Sequence, residues 1–186
     1  MKAPTHFLAG AVVALPLTLL ATGLERPVLL GVSAVAALLP DIDHPYSPLG
    51  RLIPWPKIEQ REENGFVRVG RVGLTGPIWH RDQFHSTGLG LILGALFYFA
   101  LQFFHTTLPV GMGTLLPLCF VFGYWSHLLL DTFSPTSQML FWPLSKARLR
   151  PPIPAFSQRA YTGAIVEFVC FLGSSLLLWR LAIPLL

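Results

Sequence analysis

Apolar positions in this chain fall into long uncharged runs. Phe7 to Leu24 is the first, Pro27 to Leu39 the second, Gly88 to Leu108 the third and Val110 to Leu130 the fourth. A fifth, from Gly163 to Leu186, is interrupted only by Glu167 and Arg180. Four of the five approach the roughly 20 residues that a helix needs to cross a hydrocarbon core about 30 Å thick. The second is shorter, worth about 20 Å of helix at 1.5 Å per residue. It spans only with little tilt, a thinned bilayer or support from its neighbours. The pattern predicts an all-α, polytopic membrane bundle of about five spans, forming one domain over residues 1–186. A loop from about 45 to 80 separates the second and third spans. Within it "FVRVGRVG" alternates, which suits a short hairpin.

Composition supports this frame. The 186 residues are 53% hydrophobic and only 12% charged, against about 25% charged in soluble domains. Mean hydropathy is +0.59. Charge placement then gives orientation. Lys2, six cations from Arg51 to Arg81 and four from Lys146 to Arg159 fall on one side of a five-span threading, leaving Arg26 and Arg180 for the other. By the positive-inside rule the richer side is cytoplasmic, and the expected location is the inner (cytoplasmic) membrane of the cell. The pI of 9.4 thus reflects topology and attraction to anionic headgroups. Nucleic acid is not the expected partner, since no basic surface module with interleaved aromatics is evident. Cys119 and Cys170 lie inside apolar runs, with no CxxC pair.

Lys2, the first apolar run and Ala21-Thr22-Gly23 also fit a cleaved signal peptide. A retained helix is the expectation, because cleavage would discard His6.

On the five-span threading, the histidines and carboxylates gather at one depth. His6 begins the first span. Asp41, Asp43 and His44 end the second, in "LLPDIDHPYSPLG". His80 and His85, in "HRDQFHS", precede the third, and His127 and Asp131, in "SHLLLD", close the fourth. Glu167 lies one turn into the fifth. His105 is the exception, at the opposite end of the third span, and reads as an interfacial residue. His127 and Asp131 are i and i+4 on a helix, so an imidazole and a carboxylate leave one face together. Neutral imidazole and ionised carboxylate are ligands for zinc and related divalent ions, and a cation offsets the cost of burying several carboxylates near a bilayer. Singly, each residue has an ordinary explanation as a cap, a turn former or a satisfied bundle histidine. Together they indicate a metal centre on the cytoplasmic side, with Glu167 the weakest member, since an interhelical hydrogen bond explains it nearly as well.

The blocks "THFLAG", "LLPDIDHPYSPLG", "HRDQFHS" and "GYWSHLLLDTFSP" resemble, in order and spacing, the YdjM-like membrane-bound metal-dependent hydrolases. That family is distantly similar to zinc-dependent phospholipase C and the zinc-dependent single-strand nucleases. The resemblance implies a helical fold holding one to three zinc ions with His, Asp and Glu, including an HxxxD helix like His127 to Asp131. The counterpart of the family's HxxxE helix is Gly163 to Glu167, which lacks the His, and Ser137 stands where the pattern usually has Gly.

The expected ligands are therefore His6, Asp41, His80, His85, His127, Asp131 and Glu167, around a divalent metal, most plausibly zinc. Asp43 is the candidate to orient or deprotonate a water, or else to support a ligand from behind. Arg81 either pairs with a phosphate oxygen in fork geometry or anchors the chain at the interface. The expected substrate is a phosphoester or lipid headgroup ester among the membrane lipids. The alternative is a non-catalytic metal-binding or metal-transporting protein. Transport would need polar residues continuing across the bilayer, where only Gln102 and His105 lie. HExxH and GxSxG are absent, which excludes zincins and serine hydrolases. The PSGH block and the paired Lys and Arg-Pro motif of vanadium-haloperoxidase-type lipid phosphatases are absent too.

Overall fold

The computed structural model describes residues 3–53, 58–63, 66–73, 76–104, 108–109, 111–132 and 137–149. His105 and the fifth apolar run with Glu167 lie outside them. Four helices are present: α1 (Ala3–Thr18), α2 (Glu25–Ala36), α3 (Thr87–Phe103) and α4 (Met112–Asp131). The 45–80 segment is more ordered than a plain loop, so the all-α expectation needs correcting. It carries 3-10 turns at Leu39–Asp43 and Gly50–Leu52, then an antiparallel meander of β1 (Ile58–Glu63), β2 (Phe66–Gly73) and β3 (Gly76–Trp79). Glu63 pairs with Phe66, and Gly73 with Gly76. The first connection is Asn64-Gly65 in sequence, the dipeptide with the strongest two-residue hairpin preference.

Helix ends follow local chemistry. Glu25 opens α2 and its carboxylate accepts the Thr22 N–H at 2.8 Å, where a negative charge also suits the helix dipole. Ser86 caps α3 by accepting the Leu89 N–H at 3.1 Å. Gly111 precedes α4 at φ 90°, a left-handed conformation that glycine adopts without penalty.

Helices α1, α2 and α4 pack on one another, and α3 packs on α4. One end of the three-helix layer is an apolar cluster of Ala14, Ala21, Leu29, Met112, Leu116 and Cys119. Toward the other end the helices meet at small residues. Ser33 of α2 donates its hydroxyl to the Gly10 carbonyl of α1 at 2.6 Å. A Cβ on Gly10 would lie 2.6 Å from the Ser33 carbonyl oxygen, and one on Gly123 of α4 would strike the same atom. Close backbone approach through small residues is the usual device for helix pairs in lipid.

Helix α3 buries only Gly90 and Gly94, which meet Tyr124 and Val121 of α4. Its bulk faces outward among the described residues, with Leu96 60% and Phe99 65% exposed. The expectation of about five spans is not supported among the described residues. Among the described residues, α4 alone is long and apolar enough to cross a bilayer. Helices α1 and α3 are apolar but shorter, and α2 has 12 residues.

Candidate metal centre

The site lies beyond the small-residue node, one turn from Gly10 and one from Gly123. The sequence "GYWSHLLLD" on α4 assembles it. Gly123 lets α2 approach. The Tyr124 hydroxyl donates to the Phe84 carbonyl, and Trp125 Nε1–H donates to the Thr87 carbonyl at 3.2 Å. Both bonds hold the turn that carries His85. His127 Nδ1–H then donates to the Ala37 carbonyl, at the end of α2, at 2.8 Å. The stretch after α2 is folded by Ser47, whose hydroxyl donates to the Asp41 carbonyl at 2.6 Å and accepts the Gly50 N–H at 2.8 Å.

These contacts bring His6, Asp41, His80, His85, His127 and Asp131 together. His6 stacks on His127 with ring centroids 3.7 Å apart. Two trios, His6–His127–Asp131 and Asp41–His80–His85, each have donor atoms within 4.8 Å of one another. The trios are contiguous. His127 Nε2 lies 3.2 Å from His85 Nε2 and 3.5 Å from Asp41 Oδ1. His85 Nε2 lies 3.6 Å from Asp41 Oδ1 and 3.5 Å from Asp131 Oδ2.

The donor set fits a divalent cation. Ligand bonds of about 2.0–2.1 Å to a tetrahedral zinc leave neighbouring ligand atoms about 3.4 Å apart, the spacing found here. Because His127 gives its Nδ1 proton to Ala37, its Nε2 is a lone pair in the neutral ring, aimed at two carboxylates and another imidazole. Buried Nδ1 of His85 and of His6 have no protein hydrogen-bond partner. Such a cluster, largely desolvated, is costly without a cation.

Asp43 is buried and takes the Nδ1–H of His80 at 2.8 Å, leaving His80 Nε2 to face Asp41 Oδ1 at 3.8 Å. This is the carboxylate–imidazole arrangement that orients a metal ligand. Asp43 is not among the residues lining the adjacent cleft. Its carboxylate engages His80, so of its two expected roles the geometry favours support of a ligand.

Electrostatics separates the histidines. Burial disfavours charge on His85, but the Asp131 and Asp41 carboxylates facing its Nε2 outweigh it and raise its pKa to about 9 in the metal-free chain. Burial lowers the pKa of His80 and of His44, against the pull of nearby carboxylates. Burial also favours the neutral acid at Asp41, yet the hydrogen bond to His85 and the surrounding imidazoles hold its carboxyl below the usual range.

Arg81 reaches Asp131 Oδ2 at 2.9 Å. Its backbone has φ 68°, a region that non-glycine residues rarely occupy and that costs about 1–3 kcal/mol. The following segment fixes it there: the Met139 N–H donates to the Arg81 carbonyl at 3.4 Å, and Arg148 pairs with Asp82. A cleft of about 330 Å³ opens beside the centre, lined by Ala3, Asp41, His44, Tyr46, Ser47, Pro48, His80, Arg81 and Asp131.

Glu167, the seventh expected ligand, lies outside the described residues. Sequence reasoning missed Ser33, Tyr124 and Gln138. Gln138 is buried and donates to the Leu128 carbonyl at 3.3 Å. Only Tyr124 carried a signal, its place between Gly123 and His127 in the motif.

The YdjM inner membrane protein family model matches residues 1–185. The chain belongs to that family. It is 30% identical over 158 residues to the Inner membrane protein YdjM of Escherichia coli strain K12, covering 81% of this chain and 63% of that protein. The same figures hold for Inner membrane protein YdjM of Shigella flexneri. The chain thus spans under two thirds of the length of these curated YdjM relatives. No solved structure matches. Membership in an inner membrane family accords with α3, whose large apolar side chains face outward.

Proposed function

We propose that this chain is a membrane-embedded, metal-dependent hydrolase that cleaves a phosphoester or lipid headgroup ester at the cytoplasmic surface of the inner membrane. The observation that carries this reading is the convergence of four imidazole-bearing and two carboxylate-bearing positions from α1, α4 and the turns after α2 and before α3, at the edge of an open cleft.

His6, Asp41, His80, His85, His127 and Asp131 would hold a divalent cation, with zinc suited to this nitrogen and oxygen set, and the ion would supply Lewis acidity near neutral pH. The chain's residues do the rest. Ala37 and Asp43 fix the rings of His127 and His80, so that each presents Nε2. His85 and His127 lie at 0% exposure and exclude bulk water from the inner side of the centre. Arg81, on the cleft wall, offers a planar fork for a phosphoryl oxygen. The cleft also favours turnover over storage, since a purely structural ion needs no open approach.

The test is metal analysis and turnover on detergent-purified protein. At least about one divalent ion per chain is expected, with hydrolysis of phospholipid or small phosphodiester substrates abolished by chelator and restored by zinc. Metal without chelator-sensitive turnover would transfer the chain to the metal-binding alternative. Reporter fusions within the β1–β3 segment should read cytoplasmic, and one at Gly111 external, by the distribution of Lys and Arg. An external reading at the meander would sink the cytoplasmic assignment.

A further inference from the structure

One histidine on the cleft wall is not used by the metal centre. His44 lines the cleft beside Tyr46, His80 and Arg81, yet belongs to neither donor trio. Its ring sits edge-on to His80, with centroids 4.6 Å apart, and to Tyr46 at 5.8 Å. The backbone N–H of Tyr46 donates to His44 Nδ1 at 3.3 Å. A ring nitrogen that accepts a hydrogen bond holds no proton, so the neutral ring carries its single proton on Nε2. With Nδ1 engaged, Nε2–H is the remaining ring donor of a half-buried residue that lines the cleft.

An ester offers one carbonyl oxygen at the reacting carbon, which a cation held by the two trios would engage. A phosphodiester offers two non-bridging oxygens at phosphorus. The imidazole N–H of His44, on the cleft wall beside those trios, suits the second of them.

We propose that His44 acts as a neutral hydrogen-bond donor, through Nε2–H, to a non-bridging phosphoryl oxygen of the substrate, and so selects phosphoesters over carboxylic esters. No proton changes hands. The inference rests on the hydrolase reading above and names the substrate class of that site.

Two variants and one spectrum test it. In histidine ¹⁵N-labelled protein, the His44 ring should show the Nε2–H neutral tautomer, whereas an Nδ1–H tautomer would overturn the proposal whatever the activity. In calorimetry on zinc-loaded protein, His44→Phe should weaken inorganic phosphate binding about tenfold or more, as for loss of a hydrogen bond to a charged group. His44→Gln, which keeps an N–H donor, should recover most of that affinity. Zinc content should match wild type in both variants, and any turnover of carboxylic esters should not respond to either. Phosphate affinity unchanged in His44→Phe would overturn the proposal. Wild-type protein that fails to bind phosphate would overturn it together with the hydrolase reading. Phosphate binding that depends on His44, without turnover of any phosphoester, would remove the hydrolase reading alone and leave His44 as an oxyanion donor.

Discussion

The two ends of the α1–α2–α4 layer are built from the same three helices and held by opposite means. At one end Ala14, Leu29, Met112 and Leu116 fill space. At the other His6, His127 and Asp131 are as deeply buried, at 1% exposure or less, and fill it with groups that prefer water. The apolar end is satisfied by shape alone, and volume-conserving swaps there cost little. The polar end is satisfied only when every lone pair and charge has a partner, and a divalent cation would serve both donor trios at once. Stability and chemistry are thus separated along one axis of the protein.

The largest expected effect attacks that separation directly. Asp131→Asn keeps volume but removes a charge shared by His6, His85, His127 and Arg81. Zinc stoichiometry should collapse and chelator-sensitive turnover should vanish. Chelator should lower the thermal midpoint of wild type and leave that of the variant unchanged. A variant that retains full zinc would break the comparison.

The next effect lies at the other end. Leu29→Ala, at a fully buried position, should cost about 2–5 kcal/mol of stability in denaturant titrations. Zinc per folded chain should stay at the wild-type level. Zinc lost in step with stability would mean that the two ends are not separable.

A smaller effect is expected at Asp43→Asn. The amide keeps shape but binds the His80 N–H less strongly, and loss of such an orienting partner typically costs about 10–100-fold in metal affinity or activity. Unchanged zinc affinity with a larger fall in rate would return Asp43 to the role of base.

The remaining probe, which changes no residue, is pH. His85 in the metal-free chain has its pKa raised from 6.5 to about 9. Its contribution to stability is therefore fully present below pH 6.5 and lost as pH rises through about 9. Zinc must displace that proton, so zinc affinity should climb by up to about tenfold per pH unit over this window. The apolar cluster should show no such dependence, and a flat zinc isotherm from pH 6.5 to 9 would rule the mechanism out.

Much of the site was legible because its signals are local. The i,i+4 spacing of His127 and Asp131 fixes a shared face wherever a helix forms, and the short "DIDH" and "HRDQFH" blocks bring their own ligands. What escaped was contact between distant elements. Nothing in the sequence pairs Ser33 with Gly10 and Gly123, because small residues in apolar runs look alike until two helices meet. The tautomers of His80 and His127 were equally hidden, since each depends on an acceptor tens of residues away. The meander was half visible. Alternation in "FVRVGRVG" suits a hairpin, and Asn64-Gly65 just before it is the stronger cue. Hydropathy alone did not reveal how short α2 is, because the uncharged run to Leu39 continues past the helix end at Ala36.

The node at Ser33 has a consequence for how such a protein can change over generations. Two backbones press on one carbonyl from opposite helices, so enlargement at position 10 or at position 123 pushes α2 away from its partner, and both displacements carry through one helical turn to the ligands. No single compensating reduction exists, because glycine has nothing left to remove and Ser33 can shrink only to Ala or Gly, which leaves the carbonyl where it was. Mutational paths through these three positions are therefore closed one step at a time. Diversification of the site is channelled instead into the cleft wall, where His44, Tyr46 and Pro48 can vary without moving a helix.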